Sequence, residues 1–139
     1  MHYDPANIFA KILRGEVPAH KVYEDADTLV FMDIMPRAEG HALVIPKAPA
    51  INILDIEQSS LAAVAHTTQR VAKAAMLAFK AEGIKIEQYN EAPAGQVVFH
   101  LHVHVLPRWT GVELKPPGIM GDSAAIGAHA EKLRAALTA

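Results

Sequence analysis

Three histidines alternate with apolar residues in the segment HLHVHVL, at positions 100, 102 and 104. Successive side chains of an extended chain point to opposite sides, so His100, His102 and His104 would share one face of a strand. Three imidazoles buried together would each need polar partners, so this face is expected to border solvent or a cleft. The other face is apolar and is expected to contact a long helix: Phe99, Leu101, Val103 and Val105.

Metal binding is one chemistry that such a row could perform, because two imidazoles of an H-x-H pair can coordinate zinc. At about 3.4 Å per residue, His100 and His104 would lie roughly 13 Å apart along a strand. Metal–nitrogen bonds are only about 2.0 to 2.1 Å long, so one ion cannot easily bind both. No cysteine or H-x-x-E-H pattern supplies a further ligand. We therefore predict no metal site, and a metal-dependent hydrolase stays open as an alternative.

Nucleophilic attack on phosphorus is the other chemistry. A neutral imidazole can attack near pH 7 when its second ring nitrogen is held protonated by a carbonyl or side chain. A neighbouring imidazole can donate a hydrogen bond or a proton to the phosphate. Gly95 and Gln96 stand directly upstream and supply a close backbone approach and an amide that can bond a phosphate oxygen. Such donors balance charge on the nonbridging oxygens in the transition state.

The first half of the chain predicts elements that could support this row. Asn7 is a predicted cap of a short helix, which Gly15 and Pro18 end. The runs KVYE and TLVFMD, joined by a short acidic turn, predict a hairpin, and GHALVIP predicts a third strand. Apolar residues at helical spacing then predict a long helix over about residues 57 to 82, with Gly83 as its left-handed C-cap.

The second half adds two strands and a helix. IKIEQYN and the segment around FHLHVHVL are the predicted fourth and fifth strands, and residues 107–121 hold too many prolines and glycines for a regular element. Asp122 or Ser123 can cap a last helix. Because several strands follow one another through hairpin-length connections, we predict an α+β fold with an antiparallel sheet.

Length and composition favour one domain over residues 1–139, in which residues 109–139 form a C-terminal loop and helix extension. The chain is 51% hydrophobic, carries a net charge of −2 and has no cysteine. The charge provides no broad attraction to nucleic acid or to a membrane surface. The N-terminus shows no basic region followed by an apolar run, and no apolar stretch reaches the roughly 20 residues that span a bilayer. We expect a cytoplasmic protein without nucleic-acid or membrane partners.

The motif HLHVHVL resembles that of the histidine triad (HIT) family of nucleotide hydrolases and transferases, in which three histidines alternate with apolar residues. The segments NIFAKILRGEVPAHKVYED and TLVFMDIMPRAEGHALVIPK, and the GQ before the triad, also resemble the family over roughly residues 7 to 108. The resemblance implies a five-stranded antiparallel sheet with one long helix packed on it, a homodimer and a small-molecule nucleotide substrate. We expect no cofactor.

The resemblance also implies roles for the three histidines. His102 would attack the α-phosphorus and form a covalent nucleotidyl-histidine intermediate that water then hydrolyses. His104 would contact the phosphate and assist proton transfer, and His100 would orient the site through a hydrogen bond. The nucleotide-binding positions that it implies are His41 beside the triad, Asp33 for the ribose hydroxyls, Phe31 and Ile34 for the base, and Asn90, Gly95 and Gln96 for the phosphate.

Three features depart from the family pattern. The N-terminal C-x-x-C of some bacterial relatives is replaced by NIFAKI, so we predict no structural zinc. Val97 stands where many members have a hydroxyl residue, and the loop NEAPAGQ is shorter than the common version. We predict a hydrolase that cleaves purine nucleoside phosphoramidates, or related nucleotide conjugates, at the α-phosphate. LKPPG resembles the phosphoramidase branch and HVLPR the dinucleoside polyphosphate hydrolase branch, which stays an alternative, as does a noncatalytic nucleotide-binding protein.

Overall fold

Three α-helices and five strands make up the fold of residues 2–138, which a computed structural model describes. Their bounds are α1 Ile8–Leu13, β1 Lys21–Glu24, β2 Thr28–Met32, β3 Ala42–Pro46, α2 Gln58–Ala78, β4 Gly83–Glu87, β5 Val103–Arg108 and α3 Ser123–Leu137. All strand pairs are antiparallel, in the order β1-β2-β3-β5-β4. The predicted α+β fold, with its five-stranded sheet, long helix and two terminal helices, is confirmed.

The sheet separates two apolar clusters. On one face α2 and α3 cover a core that includes Val44, Val71 and Val105. On the other face α1 covers a smaller cluster around Phe9, Phe31 and Leu43. Strands β2 and β3 are buried along their whole length because both of their faces are covered. The register places His104 opposite Leu43, so the His104 side chain lies on the α1 face of the sheet.

Side-chain caps begin α1 and α3 where the sequence predicts them. The Asn7 side chain accepts a hydrogen bond from the amide of Ala10 at 2.9 Å, and the Asp122 carboxylate accepts one from the amide of Ala125 at 2.9 Å. Each cap satisfies one of the backbone N–H groups that have no partner inside the first turn of a helix. These two helix starts therefore follow from local chemistry.

The predicted C-terminus of α2 is wrong. The helix ends at Ala78, Lys80 adopts the left-handed conformation with φ 49°, and Gly83 already belongs to β4. The reason is a tertiary contact: the indole N–H of Trp109 donates to the carbonyls of both Phe79 and Lys80, at 3.1 Å each. These bonds satisfy carbonyls at the helix end, so the chain can leave the helix before its glycine.

The predicted fifth strand also begins too early. Strand β5 starts at Val103, so His100 and His102 lie in a segment before the strand and only His104 lies within it. The amide of Leu101 donates to the carbonyl of Ala50 at 2.8 Å, which directs this segment away from the sheet ladder and toward the chain after β3. Phe99, predicted to face the long helix, is instead exposed.

The C-terminal loop, residues 109–121, lies against the connection between β2 and β3. The amide of Lys115 donates to the carbonyl of Arg37, and the amide of Gly121 donates to the carbonyl of Ile34, both at 2.8 Å. The loop thus braces the connection that carries Asp33 and leads into His41. Within residues 2–138 the helices are all too short or too polar to cross a bilayer.

Candidate active site

His100 is fully buried, and both of its ring nitrogens have partners. Its Nε2 lies 2.8 Å from the carbonyl oxygen of Pro46, and its Nδ1 lies 2.5 Å from the hydroxyl of Tyr3. A carbonyl only accepts hydrogen bonds, so Nε2 carries the proton and Nδ1 accepts from the phenol. The expectation that the whole histidine face borders a cleft is wrong for His100, because these partners make its burial possible.

His102 has one ring nitrogen bonded and one free. Its Nδ1 lies 2.7 Å from the carbonyl oxygen of His100 and must donate to it. In the neutral ring, Nε2 is therefore an unprotonated nitrogen with an available lone pair, and no residue among 2–138 bonds it. Burial lowers the pKa of His102, which favours this neutral form. The Phe9 ring meets the imidazole edge-on, with a centroid separation of 4.9 Å, and fixes its orientation.

A hydrogen-bonded pair of histidines lies next to this nitrogen. The amide of Arg37 donates to Nδ1 of His41 at 3.1 Å, so the His41 proton is on Nε2. That Nε2 lies 2.9 Å from Nδ1 of His104 and donates to it, which leaves the His104 proton on its own Nε2. The rings of His102 and His104 are 5.0 Å apart. The two neighbours thus present opposite groups, a lone pair on His102 and an N–H on His104.

Both members of the pair are neutral at pH 7. Burial, together with the charge of His104, lowers the pKa of His41 from 6.5 to about 3. Burial, together with the charge of His102, lowers the pKa of His104 from 6.5 to about 4. Each imidazolium would face another imidazole in a poorly solvated place, so the uncharged forms are favoured.

Asp33 joins His41 and His104 in a group whose potential ligand atoms lie within 4.8 Å of one another, among the residues that the structure describes. Such a group can bind a metal ion only through unprotonated nitrogens. The Arg37 amide holds the lone pair of His41 at Nδ1, so the nitrogen that faces Asp33 and His104 carries the proton. Metal binding there would require an imidazolate or the loss of this bond. The protonation pattern therefore favours a hydrogen-bonding role for the group.

The residues predicted to bind the nucleoside lie around this group. One oxygen of Asp33 accepts from the Met35 amide at 2.8 Å, and the other lies 3.5 Å from Nε2 of His41. Burial raises the pKa of Asp33. Ile34 is 47% exposed beside it, whereas Phe31 is only 3% exposed and packs edge-on against Phe9 at 5.3 Å. Phe31 thus supports the site from beneath, and Ile34 is available at its surface.

The predicted phosphate loop is held by its own side chains. The Gln96 amide group donates to the carbonyls of Ile51 at 2.7 Å and Val98 at 3.0 Å, and its oxygen accepts from the Glu91 amide at 2.8 Å. Asn90 accepts from the Ile53 amide at 2.9 Å. Asn90 and Gln96 therefore form hydrogen bonds that hold the loop in place. Gln96 could contact a phosphate only if it broke one of these bonds.

Two further positions of this loop are Gly95, which packs against a ring, and Val97, which is exposed to solvent. Gly95 adopts φ 104°, a conformation that favours glycine, and it lies against the ring of Tyr89. Val97 is 83% exposed. Its side chain therefore forms no part of the buried network around Gln96.

Comparison with known proteins identifies the family of this chain. The sequence profile of the HIT domain matches residues 14–111. The chain belongs to the HIT family. This HIT protein is 38% identical over 109 residues to the protein named hit of Bacillus subtilis, covering 78% of this chain and 75% of that one. It is 34% identical over 134 residues to a Candida albicans protein named adenosine 5'-monophosphoramidase, covering 91% and 88% of the two chains.

A solved structure resembles the HIT protein over almost its whole length. The crystal structure of a Hit-like protein from Bartonella henselae, described as involved in cell-cycle regulation, matches with a TM-score of 0.94 and 48% sequence identity. The match covers 98% of this chain and 99% of that one. It therefore includes the segments on both sides of the profile match.

Several contributors to the HIT site were not predicted from sequence. Phe9, which lies in α1, contacts the His102 ring edge-on. Tyr3 bonds a histidine 97 positions away, and the Arg37 contribution comes from a backbone amide. Asn52 is fully buried and donates to Gln96 at 3.1 Å. No sequence signal identifies such contacts, because each depends on how distant segments meet.

Proposed function

We propose that this HIT protein hydrolyses purine nucleoside phosphoramidates, or related nucleotide conjugates, at the α-phosphate through a covalent nucleotidyl-His102 intermediate. The observation that carries the proposal is the pairing of a bare Nε2 on His102 with an N–H on the adjacent His104. A nucleophile needs the lone pair, and the phosphate oxygens need the donor. The Nδ1 bond from His102 to the His100 carbonyl at 2.7 Å holds the nucleophilic tautomer before substrate arrives.

The reaction proceeds in two displacements. In the first, Nε2 of His102 forms a bond to phosphorus while the bond from phosphorus to the leaving nitrogen breaks, and the leaving nitrogen takes a proton from His104. For this step His104 takes up a second proton from solvent when the anionic phosphate binds, because a neighbouring negative charge raises the pKa of an imidazole. The second proton occupies Nδ1 and releases the bond from His41, and the Nε2 proton of His104 is the one transferred. In the second, water attacks phosphorus, the bond to His102 breaks, and the water proton passes to His104. A nucleoside monophosphate and an amine are the products.

The nucleoside end would lie toward Asp33. The Asp33 carboxylate has two acceptor oxygens that suit a pair of ribose hydroxyls, and its first oxygen is already oriented by the Met35 amide. Ile34, exposed beside it, offers an apolar surface for a base. The name of the Candida albicans relative supports an adenosine substrate. His41 acts behind His104 rather than on the substrate, because both of its nitrogens are bonded within the protein.

We also propose that the protein works as a homodimer. Strand β4 is an edge of the sheet, and next to it a groove of about 380 Å³ lies between β4 and α2. The groove is lined mainly by apolar side chains, including Ile53, Val64 and Ile86. An edge strand can pair with its own copy about a two-fold axis, and the groove would then close against the partner's helix.

The decisive experiment measures hydrolysis of a fluorogenic adenosine phosphoramidate by the wild type, His102→Ala and His66→Ala. His66 is an exposed histidine of α2, so its variant controls for loss of an imidazole as such. We expect His102→Ala to lose activity on the order of 1,000-fold or more, and His66→Ala to match the wild type. Equal rates for His102→Ala and the wild type would overturn the proposal.

Two further measurements complete the test. Mass spectrometry of protein quenched in alkali, where a phosphorus–imidazole bond survives, should find the nucleotidyl group on His102. A parallel assay with a dinucleoside polyphosphate compares the two branches of the family, and a chelator should leave phosphoramidate hydrolysis unchanged. A rate that falls with chelator and returns with zinc would support the metal-dependent alternative.

A further inference from the structure

The N-terminal segment before α1 sends one side chain into the site. Within residues 2–6 only Tyr3 is partly buried, while its neighbours are exposed. Its hydroxyl lies 2.5 Å from Nδ1 of His100, and the two rings meet edge-on with centroids 5.6 Å apart. The profile of the HIT domain begins only at residue 14, so this contact comes from outside the matched region.

The phenol fixes the proton on His100. Because the Pro46 carbonyl requires an N–H at Nε2, Nδ1 must accept in the neutral ring, and the Tyr3 hydroxyl is the donor that it meets. A donor at Nδ1 favours the neutral imidazole and opposes its protonation. Both nitrogens of the His100 ring are bonded, and the ring is fully buried. It can therefore neither flip nor change tautomer without breaking a buried hydrogen bond.

The position of His100 controls the nucleophile. Its backbone carbonyl accepts the Nδ1 proton of His102 and so keeps Nε2 of His102 free. This carbonyl lies before β5, outside the sheet ladder. The bonds that hold it are therefore few: the Leu101 amide to Ala50, and the two bonds of the His100 ring.

We propose that Tyr3 is a positioning residue of the active site, whose hydroxyl fixes His100 and through the His100 carbonyl aims His102 at phosphorus. This inference rests on the proposed function for its catalytic consequence. The alternative is a purely structural role, in which Tyr3 only anchors the N-terminal segment to the domain. The two differ in what loss of the hydroxyl alone does to the histidines.

The test compares Tyr3→Phe with Tyr23→Phe. Each variant removes one hydroxyl and keeps the ring, and the Tyr23 hydroxyl donates to Asp25 in the β1–β2 hairpin. We expect Tyr3→Phe to lower kcat for the adenosine phosphoramidate about 10-fold with little change in KM, since alignment changes and not nucleotide binding. Tyr23→Phe should keep the wild-type kcat.

The pH profile provides a readout that a simple anchor would not move. The titratable groups whose charges act on His100 are His102 and Asp55. Without the phenol, Nδ1 of His100 protonates more readily, and the resulting cation makes His102 a weaker nucleophile. The acidic limb of kcat/KM should therefore shift to higher pH in Tyr3→Phe and stay in place in Tyr23→Phe.

Nitrogen NMR of the imidazoles tests the inference without an assay. In the wild type, the His100 ring should show a protonated Nε2 and a bare, hydrogen-bonded Nδ1 across the active pH range, and Tyr3→Phe should raise the protonated fraction. Unchanged His100 signals, kcat and pH limb in Tyr3→Phe would overturn the inference. If the wild type hydrolyses no phosphoramidate, the proposed function fails, while the His100 signals still decide whether Tyr3 fixes the ring.

Discussion

His41 donates from Nε2 to Nδ1 of His104 across 2.9 Å, and this single bond determines which nitrogen of His104 carries the proton. The Arg37 amide sets the direction from behind, because it donates to Nδ1 of His41 at 3.1 Å. In the proposed reaction His104 donates an N–H to a phosphate, and the position of that N–H is set by two hydrogen bonds that start at the Arg37 backbone amide. A protein that needs one nitrogen bare and the next one protonated can achieve both with neutral imidazoles.

Removal of the His41 donor should reduce catalysis. In His41→Asn we expect kcat on the adenosine phosphoramidate to fall about 10-fold or more, because His104 is then free to place its proton on Nδ1 and present a lone pair to the phosphate. His66→Asn, on the exposed face of α2, serves as the matched control. Both should be assayed below their unfolding midpoints. A kcat equal to that of the wild type would show that His41 does not direct His104.

The buried histidines should make stability depend on pH, in a pH range above the one in which carboxylates titrate. His41 and His104 titrate at about 3 and about 4 when folded but near 6.5 when unfolded. As the pH falls below 6.5, the unfolded chain therefore binds more protons than the folded chain. The contribution of the neutral histidines to stability is complete above that pH and is lost toward pH 4. We expect the midpoint of thermal unfolding to drop steadily between pH 6.5 and pH 5.

The same scan with His104→Asn supplies the control for this window, since its dependence between pH 6.5 and pH 5 should be shallower than that of the wild type. Asp and Glu side chains ordinarily titrate lower, near 3.8 and 4.5. A wild-type midpoint that stays flat over the window would contradict the neutral histidine pair.

Gly40 is expected to tolerate no side chain. It adopts φ 78°, and a Cβ at this position would overlap the ring of Phe79 at the end of α2. Gly40→Ala should lower the free energy of unfolding by about 2 to 4 kcal/mol, from backbone strain and overpacking together. Gly15→Ala has nearly the same φ, 77°, but open space around the Cβ, and should cost only about 1 to 2 kcal/mol. Urea denaturation of both variants measures the difference, and equal losses would show that the Phe79 contact has no effect.

The proposed dimer can be broken at the edge strand. Ile86 is 47% exposed on β4 and lines the groove beside α2. Ile86→Lys would place a charge in an apolar interface, so we expect sedimentation velocity to show a 15.0 kDa monomer where the wild type shows twice that mass. Ile119→Lys, at a 59% exposed position of the C-terminal loop, should remain dimeric. A monomeric wild type at micromolar concentration would refute the assembly.

Local chemistry explains which parts of the fold can be predicted from sequence. The caps at Asn7 and Asp122 bond amides three residues away, so the sequence contains both partners. The end of α2 and the start of β5 depend on Trp109 and Ala50, which are distant in sequence. Those two boundaries were therefore predicted wrongly, while the element types and the antiparallel sheet were correct.

The candidate site also has a part that can be predicted from sequence and a part that depends on the folded structure. Alternation identifies His100, His102 and His104 as a group, and the family resemblance adds His41. Which nitrogens are bare could not be predicted, because the answer depends on the carbonyls of Pro46 and His100, the amide of Arg37 and the phenol of Tyr3. Three of these four partners are groups whose orientation only the folded backbone determines.

The brace between the C-terminal loop and the β2–β3 connection bears on how the boundaries of a HIT domain should be drawn. A shortened chain that stopped at residue 111, where the profile match ends, would retain the four histidines of the site but lose the Lys115 and Gly121 bonds to Arg37 and Ile34. Tyr3 would be lost in the same way from a chain that began at residue 14. Sequence that flanks the recognised domain thus completes the geometry of its centre, and expression of the minimal domain would yield the right residues in a less ordered arrangement.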